Sequence, residues 1–521
     1  MHIRVRRLAS VAGLCTAAAS IAAVTAVGLP AASSASAAQV RAIVTLHGNS
    51  AVSTSGVHVV ALFPHVGSEV VSGSPAAVRA LLRDPRVAGV APDDAVSFAG
   101  HDNDGDGHNQ YAWQGLGPSA GRPDAGAGVT VALLDTGVSD TPALNRASGR
   151  LVDGVDTSEL FNGGDAQTSG RFNDRYGHGT FMANLIAGGH VDGIKDSRGV
   201  GVAPMSRLVV VKVADAHGTT SLSEVLAGMD WVAVQAPKIQ VLNIALSHDR
   251  PGSAYGADPL TAAVEHVVAS GVLVVAAAGN TPGLVGDPGF DPQSITVGAA
   301  DLTGHKTTVA PFSGTASVDG VRKPDFVASG VGLLSYLPPN SLIARKNPLA
   351  LQGNGLWRGS GTSESTAVTT GAIATVLSAN PQARLVDVKG ELRHAADDFT
   401  DNNAEGQGLL DIKNVFAQPG CDGNGHGHGH DSCDSHYSNG ESALDAQAWQ
   451  DNAWLHGKWE PWLANSWSAN SWSNGSWSAN SWSANSWSSA NWTANSWSAN
   501  SWSANSWSAN SWSAQGWGDD E

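Results

Sequence analysis

The chain has 521 residues, 46 of them acidic and 29 basic, for a net charge of −17. A surface of that sign excludes nucleic acid as the expected partner. Beyond the first thirty residues no stretch reaches the roughly 18 consecutive apolar residues that a spanning helix needs. Val267–Ala278 is too short and reads as a buried strand.

At the start, Arg4, Arg6 and Arg7 precede an apolar run from Leu8 to Leu29, followed by Ala-Ser-Ala-Ala at 35–38. Basic, apolar and then small residues read as a secretory signal peptide over 1–38 rather than an anchor. Cys15 is no lipidation site, because the bulky Leu14 precedes it. Loss of this segment removes three arginines and no acid, taking the net charge to −20. The expected protein is secreted, and is extracellular or held at the cell surface.

Residues 39–100 read as a small α+β module. Arg41–Leu46, Val57–Phe63 and Val87–Val90 are strand patterns, and Pro75–Arg83 is a helix opened by Ser74 and Pro75. About 60 residues is near the lower limit for folding alone. Next, Asp102, Asp104 and Asp106 stand at positions 1, 3 and 5 of a calcium loop, with Gly107 at 6. Position 12 is Trp113 where a bidentate glutamate is needed, so this is no complete EF-hand. Two readings stay open: a structural calcium completed by outside ligands, or a solvated acidic linker.

From 101 to 418 apolar strands alternate with helices. Val129–Leu134, Leu208–Val213, Val241–Leu246 and Val272–Ala277 are continuous apolar strands; Thr180–Ala187, Leu222–Gln235 and Leu260–Ala269 are helical. That pattern predicts an α/β domain in three layers, a mostly parallel sheet between helices. Ligands of such sheets bind beyond the carboxyl ends of the strands. Asp135-Thr136-Gly137 ends the first strand and Ala278-Gly279-Asn280 a later one, while Gly177-His178-Gly179 opens a helix. Each alone reads equally as a turn or a cap. The stretch Gly359-Ser360-Gly361-Thr362-Ser363 leads into an apolar helix running to Leu377. A serine there sits where the helix dipole favours developing negative charge.

Taken together and in order, Asp135, His178, Asn280 and Ser363 resemble the subtilisin-like serine peptidases. Val202-Ala203-Pro204, Met229–Trp231 and Lys323-Pro324-Asp325-Phe326 are similar to the family's intervening segments, so the resemblance spans about three hundred residues. It implies a serine endopeptidase acting on proteins or peptides through an acyl-enzyme. Ser363 would be the nucleophile, His178 the base, Asp135 its orienting acid and Asn280 an oxyanion donor; catalysis by this apparatus requires no cofactor. Residues 63–93 resemble the later part of the family's inhibitory propeptide, which would make 39–100 a partner of the enzyme it precedes. Two residues depart from the pattern: Glu364 stands where methionine is usual and Ala367 where proline is. A carboxylate at 364 is expected either to raise the His178 pKa or to point away from the site. An inactive scaffold of the same fold is the competing reading.

Residues 419–448 form a Gly/His-rich linker, with Cys421 and Cys433 placed for a local disulfide in an oxidising compartment. Its His-Gly run reads either as a solvated linker or as a soft-metal site. From 449 to 521 tryptophan recurs, twelve times at a spacing of five between Trp462 and Trp517. A period of five matches neither a helix nor an ordinary strand. Either a coil with one pentad per side or a disordered segment fits, and exposed tryptophans suggest contact with cell-wall polymer or polysaccharide.

Overall fold

The computed structural model describes residues 39–415 and three stretches of the tail, 463–464, 468–509 and 513–514. Within 39–415 it leaves out 49–50, 99, 102–108, 159, 161–171, 193–197, 237, 249–257, 319–320, 353, 382, 384, 398, 400–403 and 414. The expected signal segment, the acidic loop with Asp102, Asp104 and Asp106, and the Cys421–Cys433 linker lie outside the described residues.

The first module is a four-stranded antiparallel sheet of β1 (Val40–Leu46), β2 (Val57–Phe63), β3 (Ser68–Gly73) and β4 (Val87–Pro92), in the order β2-β3-β1-β4. Helix α1 (Pro75–Ala80) is capped by Ser74, whose hydroxyl accepts from the Ala77 N–H, and then tightens into a 3-10 turn at Leu81–Arg83. Strand alternation divides β1 between two cores. Ala42, Val44 and Leu46 pack inside the module, while Ile43 joins Phe63, Val66 and Val70 in an apolar cluster shared with the larger domain. β3 went unread in the sequence because Ser68 and Glu69 are polar, yet both are fully buried.

Two short strands follow, β5 (Ala95–Phe98) and β6 (Gly100–His101). The large sheet is then built from β7 (Thr130–Asp135), β8 (Leu151–Asp156), β9 (Arg207–Lys212), β11 (Val241–Ile244), β13 (Leu273–Ala277), β14 (Ile295–Asp301), β15 (Thr308–Val309) and β18 (Phe326–Ser329). Its order is β15-β14-β13-β11-β7-β9-β8, with β18 also on β14, and every pairing is parallel except β15. Helices α2 (His178–Ala187) and α6 (Thr362–Ala379) cover one face. Helices α3 (Leu222–Gln235) and α4 (Pro259–Ala269) cover the other. The period of two explains the two faces: Val131 and Leu133 of β7 meet α2 and α6, while Ala132 and Leu134 meet α3 and α4. The expected three-layer α/β arrangement is therefore present.

Smaller elements complete the rim: β10 (Thr220–Ser221), β12 (Leu246–Ser247), the hairpin β16 (Ala316–Val318) with β17 (Val321–Lys323), β19 (Leu333–Ser335), α5 (Leu342–Lys346), β20 (Trp357–Gly361) and α7 (Leu385–His394). Several expected boundaries shift, most by one or two residues. α2 begins at His178, not Thr180; the Val241 strand breaks at Ala245; and α6 starts ahead of Ser363. In the tail Ser468–Ala509 is extended throughout. Leu463–Ala464 pairs parallel with Ser478–Ala479, and Ser498–Ala499 with Ser513–Ala514, each at an offset of fifteen residues.

Candidate active site

Asp135 closes β7 at the carboxyl end of the sheet and is 1% exposed. His178 opens α2, and its Nδ1 lies 2.8 and 3.0 Å from the two Asp135 oxygens. The glycines around His178 have separate reasons. Gly177 has φ +118°, a left-handed backbone that disfavours any side chain. A Cβ on Gly179 would come within 2.1 Å of the Gly137 carbonyl, so the helix can approach the Asp135 loop only with glycine there.

One residue that the sequence reading missed joins these two loops. Asp174, 3% exposed, accepts from the Gly177 N–H at 2.7 Å, the Thr180 N–H at 2.8 Å and the Thr136 hydroxyl at 2.9 Å. Thr136 Oγ1 in turn accepts from the Gly179 N–H at 2.9 Å. Asp174 thus caps α2 and holds it against the strand end carrying Asp135. Its only sequence signal is an acid four residues ahead of a Gly-flanked helix start, outside the usual cap position. Burial raises the Asp174 pKa, and its backbone hydrogen bonds oppose that rise.

Ser363 is the second residue of α6 and is fully buried. Its hydroxyl donates to the Ala245 carbonyl at 3.0 Å, while His178 Nε2 is buried without a hydrogen-bond partner. Asn280 comes from the loop after β13, and its Oδ1 accepts from the Thr362 N–H at 3.0 Å and the Thr362 hydroxyl at 2.9 Å. That fixes the orientation of the amide, leaving Nδ2 as its donor end beside the start of α6. The structure thus joins Asp135 to His178, and Asn280 to Thr362, the residue before Ser363. Burial lowers the His178 pKa, but the Asp135 charge and hydrogen bond, then Glu364 and Asp174, outweigh it and leave a net rise. Glu364 is 5% exposed, and its charge is among those that raise the His178 pKa, in line with the first of its two expectations.

The cleft is not empty of chain. β5 lies between β10 and β12, antiparallel to both, with Val96 opposite Thr220 and Phe98 opposite Leu246. β6 lies antiparallel on β20, with Gly100 opposite Gly361 and His101 opposite Ser360. The Phe98 ring is 5.1 Å from the His178 ring, centroid to centroid. Among the described residues no group of three or more His, Cys, Asp or Glu is gathered to hold a metal ion.

The sequence model of the subtilase family matches residues 126–409, more than half of the chain. The chain belongs to the subtilase family. It is a subtilisin-like serine endopeptidase. Among curated relatives, it is similar to serine protease AprX of Bacillus subtilis (strain 168), 31% identical over 311 residues that cover 56% of this chain and 67% of that protein. It is also similar to subtilisin Savinase of Lederbergia lenta, 32% identical over 291 residues, 55% of this chain and 90% of that one. The fold resembles that of fervidolysin from Fervidobacterium pennivorans, described as a keratinolytic enzyme related to subtilisin. The TM-score is 0.53 at 21% identity, over 73% of this chain and 61% of the other. That likeness speaks to the subtilase fold alone.

Proposed function

We propose that this subtilase is a secreted endopeptidase made as a self-inhibited precursor, which residues 39–99 block until the enzyme cuts itself between Ala99 and Gly100. The observation that carries the reading is the path of β5 and β6. Chain ahead of residue 99 pairs with the β10 and β12 rims, and chain after it pairs with β20, directly before Ser363. A peptide lying antiparallel on both sides of a nucleophile is in the posture of a substrate. The module behind it docks by apolar burial of Ile43, Phe63, Val66 and Val70, and by Asp93 accepting from the Ser223 N–H at 2.9 Å. Asp93 thereby serves the N-terminus of α3.

In the mechanism, Ser363 exchanges the Ala245 carbonyl for His178 Nε2 as its hydrogen-bond partner and gives up its proton there as it attacks the Ala99 carbonyl. Asp135 keeps the Nδ1 tautomer of His178 and stabilises the imidazolium. Asn280 Nδ2 and the Ser363 N–H take the developing oxyanion, which loss of one donor would weaken by about 10²–10³ in rate. His178 then protonates the Gly100 amine, and water releases the acyl group. Catalysis by these residues needs no cofactor. A structural calcium at Asp102, Asp104 and Asp106 is a further part of the proposal, tested by whether EDTA lowers the thermal midpoint.

For the tail, two parallel self-pairings at an offset of fifteen residues support a coil of three pentads per turn, which puts tryptophans of successive turns at matching register positions. We assign it to retention on cell-wall or polysaccharide material, many weak contacts acting together. Truncation after Gln418 should leave peptide turnover unchanged and abolish that retention.

The test of the peptidase reading is Ser363→Ala. The variant should accumulate as the uncut precursor and hydrolyse no casein. Hydrolysis by the purified variant would remove Ser363 from the nucleophile's role.

A further inference from the structure

β5 lies on the β10 and β12 rims, with Phe98 next to His178. Along β5, Ala95 and Ser97 face solvent while Val96 is buried and Phe98 half-buried. Val96 joins the apolar cluster of Leu222, Val225 and Leu246. Phe98 meets two rings: His178, and Tyr176 at 6.2 Å between centroids with the planes tilted by 37°. Both separations fall in the range where tilted aromatic pairs attract.

Tyr176 is held firmly. Its carbonyl accepts from the Ile343 N–H at 2.9 Å, and the neighbouring Arg175 carbonyl from the Leu342 N–H at 2.9 Å, so α5 fixes the backbone on which the ring stands. Behind the ring lies Gly218, in the turn that leads into β10. A Cβ at Gly218 would come within 2.7 Å of the Tyr176 ring, and φ of +78° suits glycine there. The ring is thus backed by the same loop that pairs with the substrate strand. An immobilised aromatic wall gives up little freedom when it binds a second ring.

We infer that Tyr176 is a specificity-determining residue, the wall of an aromatic subsite that receives the side chain immediately before the residue whose carbonyl is attacked. The preferred substrate is an extended peptide with phenylalanine or tyrosine at that position. It carries a compact apolar residue two places further back and a small residue at the cut. The inference rests on the reading that Ala99–Gly100 is the bond cut. His178 forms the other wall, so a well-seated ring also covers the base from solvent on that side.

The experiment uses peptides of the sequence 93–104 with Phe, Leu or Ala at position 98, cleaved by mature wild-type enzyme, Tyr176→Phe and Tyr176→Ala. Active sites are counted with a covalent serine-hydrolase probe and products are read by mass. The expected result is cutting between Ala99 and Gly100, with kcat/KM for Phe about 2- to 10-fold above Leu, and higher still above Ala. Tyr176→Phe should keep the Phe-over-Leu ratio and Tyr176→Ala should lose it, while the effect of Val96→Ala in the peptide stays the same in both. Equal kcat/KM for Phe and Leu with wild-type enzyme, at the expected bond, overturns the inference and leaves the precursor reading standing. Cutting at a different bond overturns the register and the subsite together. Should Tyr176→Ala fail to mature, the wild-type peptide series alone decides.

Discussion

Asp135 and Asp325 are both buried carboxylates beside basic side chains, at opposite ends of one sheet, and they are furnished in opposite ways. Asp325 stands before β18, at the amino end. Its oxygens accept from the Thr296 N–H at 2.8 Å and from Lys323 Nζ at 3.1 Å, with Lys389 at 3.3 Å. Lys323 spends its other donors on the Ser294 carbonyl and the Thr296 hydroxyl. Burial would raise the Asp325 pKa, but Lys323 and Lys389 outweigh it, and burial lowers that of Lys323. At the carboxyl end Asp135 holds a histidine whose far nitrogen is buried with no partner. A cluster with its polar atoms paired fixes structure. One with an unspent buried nitrogen holds a site ready for a proton.

The comparison can be broken by swapping outcomes. Asp135→Asn should lower kcat by about 10⁴-fold, because the amide favours the wrong histidine tautomer, and should leave the denaturation midpoint nearly where it was. Active-site-titrated turnover and urea unfolding measure the two effects on one preparation. A large stability loss with modest kinetic loss would make Asp135 a structural residue. Asp325→Ala should do the reverse, costing about 3–5 kcal/mol by stranding Lys323 in the interior. Its folded fraction should keep wild-type kcat, and a selective loss of turnover would tie the amino end of the sheet to catalysis.

The carboxyl end was the more legible of the two. Val129–Leu134 announced a strand because alternate residues serve two different helix layers, and an apolar run reports burial on both faces. Leu222–Gln235 was bounded correctly because Glu224 accepts from the Ser221 N–H at 2.8 Å, a local cap that sequence spacing shows. β5 and β6 were illegible. Ala-Val-Ser-Phe and Gly-His have no strand pattern of their own and become extended only by pairing with β10, β12 and β20, which lie over a hundred residues away. Asp174 was overlooked because its partners are two backbone N–H groups and a threonine from another loop. Polar partners of that kind leave no periodic trace.

Glu364 gives the finest test, because it alters the charge around His178 without touching the Asp135 bond. It follows the nucleophile in α6, is buried, and lies against Gly359, where a Cβ would come within 2.9 Å of its Oε1. Its charge is one of those that raise the His178 pKa above the ordinary value, after Asp135. The sign follows directly. The base must be neutral to accept the Ser363 proton, so a raised pKa moves the acid limb of the kcat/KM profile to higher pH. Glu364→Gln keeps the shape and removes the charge, so that limb should move to lower pH while the high-pH plateau stays put. An unmoved limb would mean that solvent and Asp135 already screen Glu364 from the imidazole. A lowered plateau with an unmoved limb would instead make Glu364 a packing residue under the Ser363 turn.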